Sequence, residues 1–241
     1  DGWLFIGPEL NSGRIPSPAV AAGFGALVDA LAHSTPKIMV VVLPSRALAT
    51  PASRAIPDYR RAQAERSHLR WVQFIRARGL QVIDPLKRSR EMSAPDLFYR
   101  MRDIHLSHAG AYRLTQLVQE SVAQGSGAAN LPKVAFSSSP IGRAPVQEEA
   151  VSVLLNRHCG TPIPASEQTS RWVTKRDVEL GLLDSEAPAQ VAWWGTSNAA
   201  ALSNLPGFIE DALDTPVTIL STKGGGVLGS LYSAVRDPAW K

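Results

Sequence analysis

Two groupings in this chain have chemistry to offer: a serine where a strand gives way to a helix, and a histidine two residues after an aspartate. The first is Trp193-Trp194-Gly195-Thr196-Ser197-Asn198, an apolar strand running through a turn into Ala199, Ala200 and Ala201. Gly195 allows a sharp backbone turn. The Ser197 hydroxyl is then expected at the carboxyl end of the sheet. Its own amide would lie at a helix N-terminus, where the dipole favours developing negative charge. The layout is that of a nucleophile elbow without the G-x-S-x-G pattern. A serine after a strand also serves as an ordinary helix N-cap.

The second grouping is Asp103-Ile104-His105-Leu106-Ser107-His108-Ala109-Gly110. An aspartate and a histidine two apart, just before a helix, can be held by the turn so that the carboxylate orients the imidazole. Asp103 would then fix the tautomer of His105 and stabilise its protonated form, leaving the other ring nitrogen to act as a base. The competing reading is a capped helix start with two solvated histidines. His105 and His108 lack a third ligand at useful spacing, so no metal is expected.

Elements that would position these groups alternate along the chain. Ile38–Leu43 is a short β-branched apolar run ending at Pro44, as in a strand buried on both faces. A helix follows Pro57, with Trp71, Val72 and Ile75 on one side and Gly79 placed to end it. Leu80–Asp84 is the next strand, stopped by Pro85. From the N-cap Ser107, residues Ala111, Leu114, Val118 and Val122 keep helical spacing. Gln124–Arg143 reads as a long loop, residues 146–156 as a helix, and Cys159–Ser170 as irregular. Val191–Trp194, Ala199–Leu213 and Val217–Leu220 follow as strand, helix and strand, and Gly224–Gly226 opens a final helix. Such βαβ units build a mainly parallel sheet, and ligands of these folds bind at its carboxyl edge. Nucleophile, base and orienter are expected there together.

With 241 residues and neither a repeat nor a clear linker, one domain over 1–241 is the expectation. A composition of 44% hydrophobic and 19% charged residues is that of a globular chain. The single cysteine, Cys159, cannot form an internal disulfide, and no apolar run approaches the ~20 residues that span a bilayer. The net charge of +4 is unevenly spread: between Arg54 and Arg113 there are 13 Lys/Arg against 6 Asp/Glu. Arg60, Arg61, Arg66, Arg70, Arg76 and Arg78 fall within one helical pattern. They form either a solvated helix face or an attraction for a polyanion, whether acidic polysaccharide, membrane surface or nucleic acid. No nucleic-acid motif is present, so nucleic acid is not an expected partner.

The Asp-x-His block before a helix, the later Gly-x-Ser strand-turn-helix and the opening Asp1-Gly2-Trp3-Leu4-Phe5 together resemble the SGNH-hydrolase-like domain of the alginate O-acetyltransferases. Cellulose O-acetylation proteins of the same type share these features. In that family the Asp-His block precedes the serine, the reverse of ordinary SGNH esterases, and here 92 positions separate His105 from Ser197, as is usual there. The resemblance runs from Asp1 to about Tyr232. It departs from the family at Thr196, where Asp is usual, and at Leu106, where an aromatic often stands.

The resemblance implies an α/β three-layer sandwich with a mainly parallel sheet and permuted motif order. It also implies Ser197 as nucleophile, His105 as base and Asp103 as orienter. In the mechanism that follows, an acetyl-Ser197 intermediate passes its acetyl group to an exopolysaccharide hydroxyl of alginate or cellulose type. Oxyanion donors are sought in the Ser197 amide and in the Gly224-Gly225-Gly226 loop, and Arg46, after Pro44, is a candidate contact to an anionic polymer. No CoA-binding pattern is visible and no cofactor is expected, so a membrane-bound acyltransferase partner is the implied acetyl source. The implied setting is periplasmic, and a chain starting at Asp1 is compatible with a removed signal or anchor. A carbohydrate acetylesterase with the same triad and a non-catalytic polysaccharide-binding module are the competing classes.

Overall fold

The structure is a computed structural model that describes residues 3–11, 17–34, 37–94, 96–125, 131, 133–146, 150–160, 168–177, 189–200 and 203–221. The chain divides into two compact units whose segments interleave. One comprises Asp1–Pro95, Met101–Ile104 and Glu149–Ile163; the other comprises Asp96–Arg100, His105–Glu148 and Pro164–Lys241.

In the first unit, α1 (Gly7–Leu10) and α2 (Pro18–Ala32) lead to β1 (Met39–Val41), followed by α3 (Arg46–Ala49) and a 3-10 turn over Pro51–Ala55. Next come α4 (Arg61–Arg76), β2 (Gln81–Ile83) and α5 (Leu86–Glu91). The apolar run at 38–43 pairs in parallel with β2, Val40 opposite Val82, and the Val42 amide extends the ladder to the Ile83 carbonyl. The crossover between them is α4, which buries Val72 and Ile75 against Val28, Leu80 and Val82. Phe24 of α2 meets Trp71 edge-on at 4.9 Å, closing the same core. Gly79 takes φ +86°, the left-handed value that lets the chain leave α4.

In the second unit, α6 (His108–Ala123) begins at the expected cap: the Gly110 amide donates to Ser107 Oγ at 2.9 Å. Ala111, Leu114 and Val118 are buried along its inner face. After it, β3 (Phe136–Pro145) pairs antiparallel with β4 (Gln168–Arg176). Between these strands the chain forms α7 (Ala150–Cys159), which belongs to the first unit. Then β5 (Val191–Gly195), a 3-10 turn at Ser197–Ala199, α8 (Leu205–Leu213) and β6 (Val217–Ser221) form a second parallel βαβ unit, with Trp193 opposite Ile219. Tyr112 of α6, Trp172 of β4 and Phe208 of α8 interlock with centroids 5.5–5.7 Å apart.

Two of the three strand pairs among the described residues are therefore parallel, as an α/β chain requires. Three expectations are corrected. The predicted loop at 124–143 contains most of β3, and the predicted irregular stretch 159–170 runs into β4. The helix predicted from Ala199 starts at Leu205, after Asn204 turns into the left-handed region at φ 56°. The predicted final helix at Gly224–Gly226 lies outside the described residues.

Candidate active site

Ser197 opens a single 3-10 turn directly after β5. Thr196 caps the turn, its Oγ1 accepting from the Asn198 amide at 3.4 Å, while the Ala199 amide donates to the Thr196 carbonyl at 2.8 Å. Gly195 does not adopt a positive φ. What it supplies is room: a Cβ there would stand 3.1 Å from the Ala199 Cβ. Because the turn holds only three residues, Ser197 included, the dipole behind the Ser197 amide is that of one short turn and not of the long helix expected from the sequence.

His105 belongs to the same unit as Ser197, and its backbone is tied from several sides. Tyr99 and Leu106 form an antiparallel bridge, with the Arg100 amide donating to the His105 carbonyl at 3.2 Å. The Ser107 amide donates to the Phe98 carbonyl at 3.1 Å, and Ser107 Oγ donates to the Leu97 carbonyl. Leu106, where an aromatic was the family expectation, is fully buried. Its amide donates to Asn198 Oδ1 at 2.9 Å. The residue after His105 and the residue after Ser197 are thus one hydrogen bond apart. Both His105 and Ser197 are half-buried.

Neighbouring His108 is a different kind of histidine. Burial, reinforced by Arg100 and Arg171, pushes its pKa down to about 4. Its Nδ1 is buried with no hydrogen-bond partner among the described residues. A ring that binds protons this weakly stays neutral at pH 7.

Asp103 lies in the first unit and is 1% exposed. Its main-chain carbonyl accepts from Arg46 Nη1 at 2.9 Å, as does that of Met101. Arg46 Nη2 donates to the Leu4 carbonyl, and Nε and Nη2 reach the two oxygens of Glu9 at 2.8 Å each. The Phe5 ring lies 5.1 Å from the guanidinium carbon. This corrects the reading of Arg46 as a polymer contact. The side chain is buried, and its fork of donors is committed to Glu9 and three carbonyls, one of them that of Asp103 itself. Gly224 and Gly225, the other oxyanion candidates, lie outside the described residues.

The arginine-rich stretch is split in the same way. Arg61 donates to the Leu48 and Thr50 carbonyls, Arg90 clasps Glu65 at 2.8 and 3.0 Å, and Arg78 pairs with Asp29 at 2.9 Å. Arg60, Arg66, Arg70 and Arg76 stay exposed. The roles of three further residues escape a reading of the sequence. Asn198 and Glu9 gain their partners only through the fold. Gly110 stands in the His105 block, and a Cβ there would run into the main-chain carbonyl of Phe98.

Along residues 1–241 the chain matches the family described as SGNH hydrolase-like domain, acetyltransferase AlgX. It is 28% identical over 249 residues to the alginate biosynthesis protein AlgX of Pseudomonas aeruginosa, covering 97% of this chain and 50% of that protein. To AlgX of Azotobacter vinelandii it is 24% identical, covering 95% and 48%. The chain thus spans about half the length of these relatives. Among solved structures it is similar to P. aeruginosa AlgX, with a TM-score of 0.80 and 24% identity over 99% of this chain and 57% of that one. It is also similar to the O-acetyltransferase domain of Pseudomonas putida AlgJ, with a TM-score of 0.79 and 17% identity over 100% and 84%. The fold is SGNH hydrolase-like.

Proposed function

Because the chain belongs to the family of SGNH hydrolase-like domains of the acetyltransferase AlgX, we propose that it moves acetyl groups through an acetyl-Ser197 intermediate onto hydroxyls of an exopolysaccharide. The 241 residues act as one acetyltransferase domain in this reading. The observation that carries it is the 2.9 Å hydrogen bond from the Leu106 amide to Asn198 Oδ1, which links the neighbours of His105 and Ser197 across 92 positions.

His105 takes the proton from Ser197 Oγ as the oxygen bonds to the carbonyl carbon of an acetyl donor. The tetrahedral intermediate collapses, the donor's leaving group departs with the proton from His105, and acetyl-Ser197 remains. A sugar hydroxyl then attacks, giving its proton to His105. The Ser197 oxygen leaves and recovers that proton, and the sugar keeps the acetyl group. Asp103 orients His105 and stabilises its charged form. The Ser197 amide is one oxyanion donor; Gly224 and Gly225 remain candidates for the second. No residue of this scheme calls for a cofactor.

The relatives are alginate biosynthesis proteins, so a uronate polymer is the first acceptor to test, with a cellulose-type glucan second. The setting is periplasmic and the acetyl source a membrane-bound acyltransferase, both on the strength of the family. Incubation with an activated acetyl ester and a uronate oligosaccharide should add the mass of one acetyl group to the sugar. Free acetate alone, with either acceptor and an intact Ser197, would make the protein a carbohydrate esterase. Unchanged ester turnover in Ser197→Ala would leave a polysaccharide-binding module.

A further inference from the structure

An asparagine in a tight turn ordinarily uses its side-chain oxygen on the turn itself. Here the turn is closed without it. Thr196 Oγ1 takes the Asn198 amide, and main-chain bonds run from Ala199 to Thr196 and from Ala200 to Ser197. Asn198 Oδ1 is directed outward instead, onto the amide of Leu106. That amide belongs to the same peptide plane as the His105 carbonyl, which accepts from Arg100. The plane is therefore pinned at both ends, at its oxygen by the local bridge and at its N–H by the serine turn. Pinning it fixes the backbone rotation just past the His105 Cα, and with it the direction in which the imidazole leaves the chain.

The geometry points to Asn198 as a positioning residue for acyl transfer, whose side-chain carbonyl grips the Leu106 amide and holds the Ser197 turn in register with the His105 segment. The inference rests on Ser197 and His105 being nucleophile and base. Asn198 touches neither reacting atom. It acts on their separation, and a misplacement of about 1 Å can cost about 100-fold in rate.

The test uses the full chain and p-nitrophenyl acetate, with Ser197→Ala as the control. In Asn198→Ala, kcat should fall at least about 10-fold while KM stays within about twofold, because ester binding does not depend on the clamp. Asn198→Asp keeps an acceptor oxygen and should restore most of kcat at its optimum. Its added negative charge favours the protonated imidazole, so the low-pH limb of the rate profile should move upward. Amide exchange supplies a readout independent of turnover. The Leu106 N–H should be protected in the native protein and should exchange at least about 10-fold faster in Asn198→Ala, while Ala111 in α6 is unchanged.

Full-rate Asn198→Ala alongside inactive Ser197→Ala overturns the clamp and leaves the triad standing. Active Ser197→Ala removes the functional reading and the clamp with it. If Asn198→Ala does not fold, the other measurements decide. An unprotected Leu106 amide in the native protein, or Asn198→Asp that is slow with an unshifted limb, overturns the inference.

Discussion

At the scale of single residues, the site separates groups that look alike in the sequence. Two histidines of the Asp-x-His block and Arg46 were candidates for chemistry, and burial sorts them. His105 is half-exposed beside the serine turn, His108 is buried, and Arg46 is consumed by internal bonds. On the proposed mechanism, Ser197→Ala should abolish turnover of p-nitrophenyl acetate and His105→Ala should be about as damaging, since members of a triad act as a unit. Asp103→Asn should be milder, keeping the shape while losing control of the tautomer; steady-state rates of the three variants check this. His108 predicts a pH dependence of stability. Its folded pKa, about 4, lies below the usual histidine value of 6.5. The unfolded chain therefore binds the proton more readily, so the stability tied to neutral His108 is complete above about pH 6.5 and is lost as pH falls towards 4. After allowance for solvent screening the loss is on the order of 2 kcal/mol. Urea melts at pH 7, 5.5 and 4.5 should show that decline, and His108→Gln should flatten it.

At the scale of elements, the legible parts were those with local signals. The apolar run at 38–43, the Gly79 and Pro85 punctuation and the Ser107 cap each mark an element by its own residues. Strand β3 was not legible, because Phe136–Pro145 carries three serines, two prolines and a glycine and no apolar alternation. Its order comes from β4 across the ladder and from Asp211, whose carboxylate accepts the Ser138 amide at 3.0 Å. The start of α8 was misplaced although a signal existed: Pro206 is tolerated only in the first turn of a helix, so the helix could not have run from Ala199. The serine turn and the His105 block were legible as types; the Asn198–Leu106 link between them was not, since nothing local pairs residues so far apart. Two substitutions test how the elements hold the site. Gly110→Ala drives a methyl group into the Phe98 backbone and should cost more than about 3 kcal/mol or prevent folding, seen by thermal unfolding. Arg46→Met strands the Glu9 carboxylate and three carbonyls, with an expected loss of about 3–5 kcal/mol. If Arg46 instead bound the polymer, the variant would keep its melting temperature and lose acceptor affinity.

At the scale of the whole molecule, the exposed Arg66 and Arg70, one turn apart, leave a basic patch on α4 after the internally bonded arginines are set aside. Such a patch raises the local concentration of a polyanion in a salt-dependent way. Acetyl transfer to a uronate oligosaccharide should therefore fall several-fold between 50 and 300 mM salt, while transfer to a neutral glucan changes little. Arg66→Glu with Arg70→Glu should lower uronate transfer and leave p-nitrophenyl acetate turnover intact, as read by the mass of the sugar product. The interleaving of the two units bears on how the chain is made. Met101–Ile104 and Glu149–Ile163 belong with Asp1–Pro95, so the first ninety-five residues emerge from the ribosome long before their last partner segment. Neither unit is a contiguous stretch that synthesis can finish, or recombination can move, without the other. The β1–β2 core closes on α2 and α4 within the first segment, whereas the Arg102 carbonyl receives the Val151 amide only once α7 has been translated.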